Sequence, residues 1–309
     1  MTTSSTTYHG RFAPTPSGPL HAGSLVAALG SFLDARAHNG RWALRIDDTD
    51  QARSRREAIE TILDQLQAHG LVFDGDVVFQ SERTAQYETA LAQLESAGRV
   101  YRCNCTRARL RDWAERHGQA MGAIGPIYPG FCRERPAEAQ ERHAWRFRVG
   151  EHRRVVTDRR LGELAQCLAT EVGDPVLRRA DGPIAYHLAN VVDDDEMGIT
   201  QVVRGEDLAD LTPLHAELAE ALGLQVPGYL HLPLVNGPDG RKLSKTNHAA
   251  PLDNRRAVEN LREAAGVLGL DTAMTDRETA AGLLERWTTE WRDRAPAARQ
   301  PASPHRPAG

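Results

Sequence analysis

The sequence predicts an α/β chain built on parallel strands, and three observations carry that expectation. Arg11-Phe12-Ala13 closes a short buried strand. Pro14, Pro16, Gly18 and Pro19 then forbid regular structure across a turn, after which Leu25, Val26, Ala28, Leu29, Phe32 and Leu33 recur at helical spacing. Short apolar runs and amphipathic stretches go on alternating down the chain, the order expected of strands in one layer covered by helices. Asp47, Asp48 and Asp50 follow the second strand directly, at the end where open α/β sheets bind their ligands.

The elements follow in order. Trp42 to Ile46 reads as the second strand, and Arg55 to Ala68 as an amphipathic helix with Ile59, Ile62, Leu63 and Leu66 on one side. Val77-Val78-Phe79 is a short strand, Tyr87 to Leu94 a helix, and Val100-Tyr101 the start of another strand. Ala144 to Val149 alternates apolar and basic residues, a strand with an arginine face, and Arg153, Arg154, Arg178 and Arg179 add charge that could line a path for RNA. Asp181-Gly182 is a hairpin-type turn leading into Ile184 to Asp194, an apolar stretch studded with polar groups. Ile199 to Val203 is a strand, Leu211 to Leu222 a helix, and Tyr229 to Val235 the last buried strand. Beyond the turn Asn236 to Gly240, residues 255–267 and 277–292 carry helical patterns, and the Pro-, Ala- and Arg-rich stretch 295–309 is expected to be disordered.

Composition sets the class. With 309 residues, 40% hydrophobic and 26% charged, the chain has the make-up of a globular protein with a real core. No apolar run approaches the roughly 20 residues that span a bilayer, and the first residues lack the basic start and apolar core of a signal peptide. A cytoplasmic enzyme is the expectation. A net charge of -4 gives no overall pull toward nucleic acid, and four cysteines are too few for a disulfide framework in a chain this size. Of 38 basic residues only two are lysine, Lys242 and Lys245, and both fall in one short stretch, which suggests a role that a guanidinium cannot fill.

Two constellations carry chemistry. The first strand and turn deliver His21, Gly23 and Ser24 to a helix start, where unpaired N–H groups and partial positive charge suit a phosphate. The chain holds no G-x-x-x-x-G-K-S/T, so this is not a Walker-type phosphate loop. Cys103, Cys105 and Cys132 lie in one short span, where soft thiolates favour zinc. Zinc wants a fourth ligand, and spacing nominates either His117 or Tyr128. Cys167 stands alone in what reads as an apolar helix pattern, a core residue.

Pro14-Thr15-Pro16-Ser17-Gly18-Pro19-Leu20-His21-Ala22-Gly23-Ser24 resembles the HIGH signature of class I aminoacyl-tRNA synthetases in its glutamate-type form, and Lys242-Leu243-Ser244-Lys245 resembles their KMSKS loop. Arg45-Ile46-Asp47-Asp48-Thr49-Asp50 is similar to the family's Arg-Ile-Glu-Asp-Thr-Asp, with Asp47 one methylene shorter than the usual Glu. The resemblance implies catalysis by His21, Thr15, Lys245 and Lys242. It implies an ATP site of His21, Gly23, Ser24 and Lys245, with Mg²⁺ accompanying the nucleotide. It also implies a glutamate pocket of Arg11, Phe12, Ala13, Pro14, Thr15, Asp47, Tyr186 and Arg204. Cys-x-Cys followed by Tyr-x-x-x-Cys is the pattern of glutamyl-queuosine tRNA-aspartate synthetases, whose tyrosine ligates zinc, and it selects Tyr128 over His117.

The fold so implied is a Rossmann-type parallel sheet with a zinc-bearing insertion and short C-terminal helices. Residues 8–100 and 181–246 would form the two halves of the catalytic domain, 101–180 the insertion, 247–294 the C-terminal helices and 295–309 the tail. No large anticodon-binding region is expected after these helices. The activity implied is activation of L-glutamate with ATP and transfer to queuosine on tRNA(Asp), with Arg146, Arg148, Arg153 and Arg178 gripping the RNA loop. A trimmed glutamyl-tRNA synthetase charging the acceptor end, or a non-catalytic RNA-binding relative, are the other readings.

Overall fold

A computed structural model describes residues 7–50, 54–119, 121–235, 250–273 and 278–294. Lys242, Lys245 and the tail 295–309 lie outside the described residues. Strand β1 (His9–Phe12) runs through the Pro-rich turn into helix α1 (Ala22–Ala37), then β2 (Arg41–Ile46), α2 (Arg56–Ala68) and β3 (Val78–Phe79). β1 pairs with β2 in parallel, from His9 opposite Arg41 to Phe12 opposite Leu44, and β2 pairs in parallel with β3.

After α3 (Thr84–Ser96) come β4 (Val100–Cys103), α4 (Arg107–Arg116), the two-residue strands β5 (Met121–Gly122) and β6 (Gly125–Pro126), and β7 (Ala144–Phe147). The hairpin β8 (Arg153–Asp158) and β9 (Gly162–Cys167), the short α5 (Leu168–Glu171) and β10 (Val176–Arg178) complete the middle of the chain. There β10, β7 and β4 form a separate antiparallel sheet. Cys167 ends strand β9, not a helix, half-buried with Sγ 3.4 Å from the Glu151 carbonyl. It pairs with Arg153 across the hairpin and the helix begins only at Leu168, a boundary that so short an apolar run does not announce.

The chain returns to the main layer through α6 (Tyr186–Glu196), β11 (Gln201–Gly205), α7 (Thr212–Ala221) and β12 (Gly228–Leu232), and ends in α8 (Ala257–Val267) and α9 (Ala280–Asp293). β11 pairs in parallel with β12, and β12 with β8 of the hairpin. The two parallel ladders meet where β1 runs beside β11: the Thr200 amide donates to His9 O (3.0 Å) and the His9 amide to Thr200 Oγ1 (2.9 Å). Across the layer the order is therefore β3-β2-β1-β11-β12, and connections leave β1 and β11 in opposite directions. Such a switch point opens a crevice at the carboxyl ends of the strands.

Helix α1 lies between the sheet and helices α8 and α9, so it is buried almost all round. That explains Gly30, where a Cβ would sit 2.5 Å from Leu232 Cδ1 of the underlying strand. It also explains the fully buried Asp34, which accepts from Tyr8 Oη, from the Arg159 guanidinium and from Trp291 Nε1 (3.0 Å) of α9. A second core joins α3, α6 and α7 to β4 and β7 through Leu94, Val100, Phe147, Leu188 and Leu214. Among the described residues no helix is long and apolar enough to cross a membrane.

Candidate functional site

The crevice is built from α1, β11 and β12. His21 caps α1 with extended backbone, and its Nδ1 accepts from the amides of Gly23 (3.1 Å) and Ser24 (3.4 Å). An imidazole that accepts at Nδ1 carries its proton at Nε2. The helix start therefore presents its positive end partly through His21, with the first amides already engaged. A cleft of about 190 Å³ opens beside it, lined by His21, Gly23, Ser24, Gly205, Asp207 and Leu234 among others. Val235 lines it, and nearby Pro251 forms a β-bridge with His21 while the Leu252 amide donates to Leu20 O (3.0 Å). Thr15, in the turn, is exposed.

Beneath the turn lies a buried layer of arginines and acids. Arg11, 3% exposed, is gripped by Asp194 through Nε (2.9 Å) and Nη2 (3.3 Å). Arg45, 0% exposed, donates from Nε to Asp47 (2.7 Å), from Nη1 to Asp194 (2.7 Å) and from Nη2 to Asn190 (2.8 Å). Asp47 is thus held by Arg45 and, through its amide, by the Pro14 carbonyl (3.0 Å). Burial pushes its carboxyl up despite Arg45 and Arg11. Burial pushes Asp194 in the same direction, but there Arg11 and Arg45 outweigh it and hold the carboxyl below the usual range. Phe12 stacks on Trp42 with ring centres 6.2 Å apart, so its side chain belongs to the core and any part it takes in a pocket goes through its backbone. Asp48 accepts from Ser81 N (2.8 Å) and Oγ (2.7 Å), and beyond it a cavity of about 360 Å³ opens between Thr49, Asp50, Thr84 and the Arg179–Asp181 turn.

Arg204, on β11, is buried as well. Parallel register sets it opposite His231 of β12, to which its Nε donates (3.1 Å). Its Nη2 donates to Thr212 Oγ1 (2.8 Å) and Leu208 O (3.1 Å), and its Nη1 to His215 Nδ1 (3.2 Å). Every one of these partners is a neutral acceptor, and Arg204 makes no ion pair among the described residues. Tyr186 opens α6 beside it, its ring 5.7 Å from that of His215. Burial raises the Tyr186 hydroxyl's pKa, while Arg204 and, more weakly, Arg11 and Arg45 draw it down and Asp47 reinforces the rise. The sequence-nominated Arg11, Asp47, Tyr186 and Arg204 therefore share one electrostatic neighbourhood.

Sequence reasoning missed the partners: Arg45, Asn190, Asp193, Asp194, His187, His215, His231 and Asp158. One signal was available. Tyr186, Asn190, Asp193 and Asp194 recur at i, i+4, i+7 and i+8, which turns a polar stripe of α6 inward. The fully buried Asp193 there accepts from Gln80 Nε2 (2.8 Å), Arg83 Nε (2.6 Å) and Tyr87 Oη (2.8 Å).

The cysteines do converge. The Sγ atoms of Cys103, Cys105 and Cys132 lie within 4.8 Å of one another, Cys105 and Cys132 at 3.7 Å. Tyr128 Oη is 3.4 Å from Cys103 Sγ and 3.7 Å from Cys105 Sγ. His117 stands apart: it is exposed, stacked on Trp113 at 4.4 Å, with Nδ1 2.7 Å from the Trp113 carbonyl. Donors around one tetrahedral zinc are separated by about 3.3–3.8 Å, given bonds of roughly 2.0–2.3 Å, so this three-sulfur, one-oxygen set fits the ion. Arg146 adds a counter-charge, Nε 3.2 Å from Cys103 Sγ and the guanidinium 3.9 Å above the Tyr128 ring. Burial disfavours a Cys103 thiolate, but the Tyr128 hydroxyl and Arg146 outweigh it and hold the thiol below its ordinary pKa.

Arg146 is thereby removed from the expected RNA grip, because its guanidinium is spent on Cys103 and on the Asp174 carbonyl (2.6 Å). Arg148 pairs with Glu134 and Arg178 with Glu88, each at 3.2 Å, and Arg153 is exposed.

Comparison with known proteins accords with this geometry. Residues 7–265 match the family described as tRNA synthetases class I (E and Q), catalytic domain. The chain is 49% identical over 292 residues to a protein of Verminephrobacter eiseniae named glutamyl-Q tRNA(Asp) synthetase, covering 93% of this chain and 98% of that one. It is 46% identical over 303 residues to a protein of the same name from Pseudomonas putida, covering 97% and 96%. Among solved structures it is similar to a glutamate tRNA ligase from Elizabethkingia meningosepticum in complex with its amino acid. That match has a TM-score of 0.68 and 31% identity, and covers 77% of this chain and 52% of the ligase. The chain thus spans about half the length of that ligase and nearly all of the two relatives.

Proposed function

Because the chain belongs to the class I tRNA synthetase (E and Q) catalytic family, we propose that it is a ligase that activates L-glutamate with ATP and passes the glutamyl group to queuosine in tRNA(Asp). Its α/β layer with parallel ladders is the catalytic domain of that family. Within it, 8–100 and 181–246 act as the two catalytic halves, 101–180 as the insertion and 247–294 as supporting helices.

The observation that carries the choice of substrate is Arg204, a buried cation whose described partners are all neutral. A guanidinium has five N–H donors; four are directed at protein acceptors, and the fifth, on Nη1, has no partner among the described residues. Arg204 offers a carboxylate a charge that no aspartate among the described residues answers, whereas Arg11 beside it is already met by Asp194. Asp47 takes the α-ammonium end. Glutamine would bring a neutral amide into a site built for an anion and leave that charge unanswered.

In the first step a substrate carboxylate oxygen attacks the α-phosphorus of ATP, and pyrophosphate leaves with its bonding electrons. His21, through Nε2–H, and the start of α1 face the phosphates, and Thr15 adds its hydroxyl from the turn. Mg²⁺ comes with the nucleotide as part of the substrate. Lys242 and Lys245 would meet the departing pyrophosphate from segment 236–249. In the second step an acceptor hydroxyl attacks the glutamyl carbonyl and AMP leaves. The cavity beside Asp50 is where the acceptor nucleoside would be received. Zinc held by Cys103, Cys105, Tyr128 and Cys132 would supply structure, tying β4 to the loop before β7.

The test is exchange of labelled pyrophosphate into ATP without tRNA. Glutamate should drive it, and glutamine and aspartate should be poorer by about a hundredfold or more. Equal rates with glutamine would overturn the substrate assignment.

A further inference from the structure

Around Arg204 the hydrogen-bond directions can be read from one fact, that a guanidinium only donates. His215 Nδ1 must accept from Arg204 Nη1 (3.2 Å), so His215 carries its proton on Nε2. That proton points at His187 Nδ1, 3.1 Å away, which therefore accepts, and His187 carries its own proton on Nε2. On the other side His231 Nε2 accepts from Arg204 Nε (3.1 Å), so the His231 proton is on Nδ1, donated to Asp158 Oδ2 at 2.8 Å. His231 and His215 are 0% and 1% exposed. Burial and the Arg204 charge keep all three rings neutral, His187 being pushed down to about 4.

An imidazole here does something that a carboxylate could not. Arg11 and Arg45 are each gripped by aspartates, which fix them and also cancel their charge. His215 and His231 hold Arg204 as neutral acceptors, and the one carboxylate of this network, Asp158, stands behind the His231 ring and does not touch the guanidinium. The guanidinium is immobilised while its positive charge stays available to whatever binds next to Tyr186.

We propose that His215, oriented by His187, is a positioning residue for substrate charge: it holds the Arg204 guanidinium in place as a neutral acceptor, so that an acidic amino acid is preferred over its amide. This rests on the glutamate reading above and names a specificity determinant within that site.

The experiment compares His215→Gln with His215→Glu, side chains of the same shape that differ in charge. Both can accept from Arg204, and the second would pair with it. The readouts are KM and kcat for glutamate and glutamine in pyrophosphate exchange, with KM for ATP and the unfolding midpoint alongside. His215→Gln should stay within about threefold of the wild type for glutamate and keep its rejection of glutamine. His215→Glu should fold at least as stably, raise the glutamate KM about thirtyfold or more, and narrow the glutamate-to-glutamine preference by at least tenfold, with KM for ATP unmoved. Breaking one hydrogen bond to a charged group corresponds to about ten- to a hundredfold in affinity, so His215→Leu should raise the glutamate KM by that much with kcat little changed. Identical glutamate KM and preference in the Gln and Glu variants would overturn the proposal, with the wild type still activating glutamate. A wild type that does not activate glutamate at all would instead overturn the reading beneath it.

Discussion

Asp194→Asn tests the electrostatic layer under the site. Asp194 Oδ1 receives Arg11 Nε at 2.9 Å and Arg45 Nη1 at 2.7 Å, and Oδ2 receives Arg11 Nη2 at 3.3 Å and Asn190 Nδ2 at 3.4 Å. An amide keeps the shape but removes the charge and turns one acceptor into a donor aimed at a donor. Removing one partner of a buried ion pair costs about 3–5 kcal/mol. Arg45 keeps Asp47 at 2.7 Å, so the loss falls mainly on Arg11 and the lower end, about 3 kcal/mol, is expected. For a chain of this size that corresponds to a fall of roughly 4–6 °C in Tm.

Urea titration and thermal scans of wild type and variant measure it. The sign with pH is fixed as well. The native carboxyl is held below its ordinary pKa, so its stabilisation is present above the unfolded value and lost as pH falls through the folded one. The gap between the two proteins should be full above about pH 4 and close in stronger acid. A loss under about 1 kcal/mol at neutral pH, or a gap independent of acid, would refute the reasoning.

Three further outcomes are expected. Elemental analysis should find about one zinc per chain, lost in Cys132→Ser together with part of the thermal stability and kept in Cys167→Ser; a metal-free wild type of full stability would exclude the site. The neutral histidines should make the fold acid-sensitive. With His187 moved from 6.5 to about 4, the unfolded chain takes up a proton that the native state refuses, and stability should fall by about 2 kcal/mol between pH 7 and pH 5, the opposite trend being disqualifying. Lys245→Ala should slow activation by roughly a hundredfold while leaving glutamate affinity within a few-fold, and full recovery in Lys245→Arg would remove the case for a compact ammonium.

The parts of the site legible in the sequence are those written locally. Pro14, Pro16 and Pro19 can only make a turn, and the stripe beginning at Leu25 can only be a helix, so His21 was bound to stand at a helix start. Cys103, Cys105 and Cys132 lie in one short span that the fold brings together, whereas the resemblance, and not the spacing, favours Tyr128 over His117. The rest depends on distant pairing. Nothing near Arg204 announces His231, which reaches it only through the parallel register of β11 on β12, or His215, which arrives at the start of α7. Arg146 illustrates the converse. On an alternating strand it reads as an exposed basic residue, yet its partner Cys103 sits on the neighbouring strand and draws it inward. The β8–β9 hairpin, numbered within the insertion, hydrogen-bonds to β12, because sheet edges pair by position in space.

The measurement that bears most directly on the central claim is transfer of labelled glutamate to RNA. Wild-type protein and ATP are supplied with tRNA(Asp) carrying queuosine, the same tRNA lacking queuosine, and tRNA(Glu). Label should appear on the first alone and survive removal of the terminal adenosine. Label on tRNA(Glu) that is lost with that adenosine would contradict the account and make the chain an acceptor-end charging enzyme.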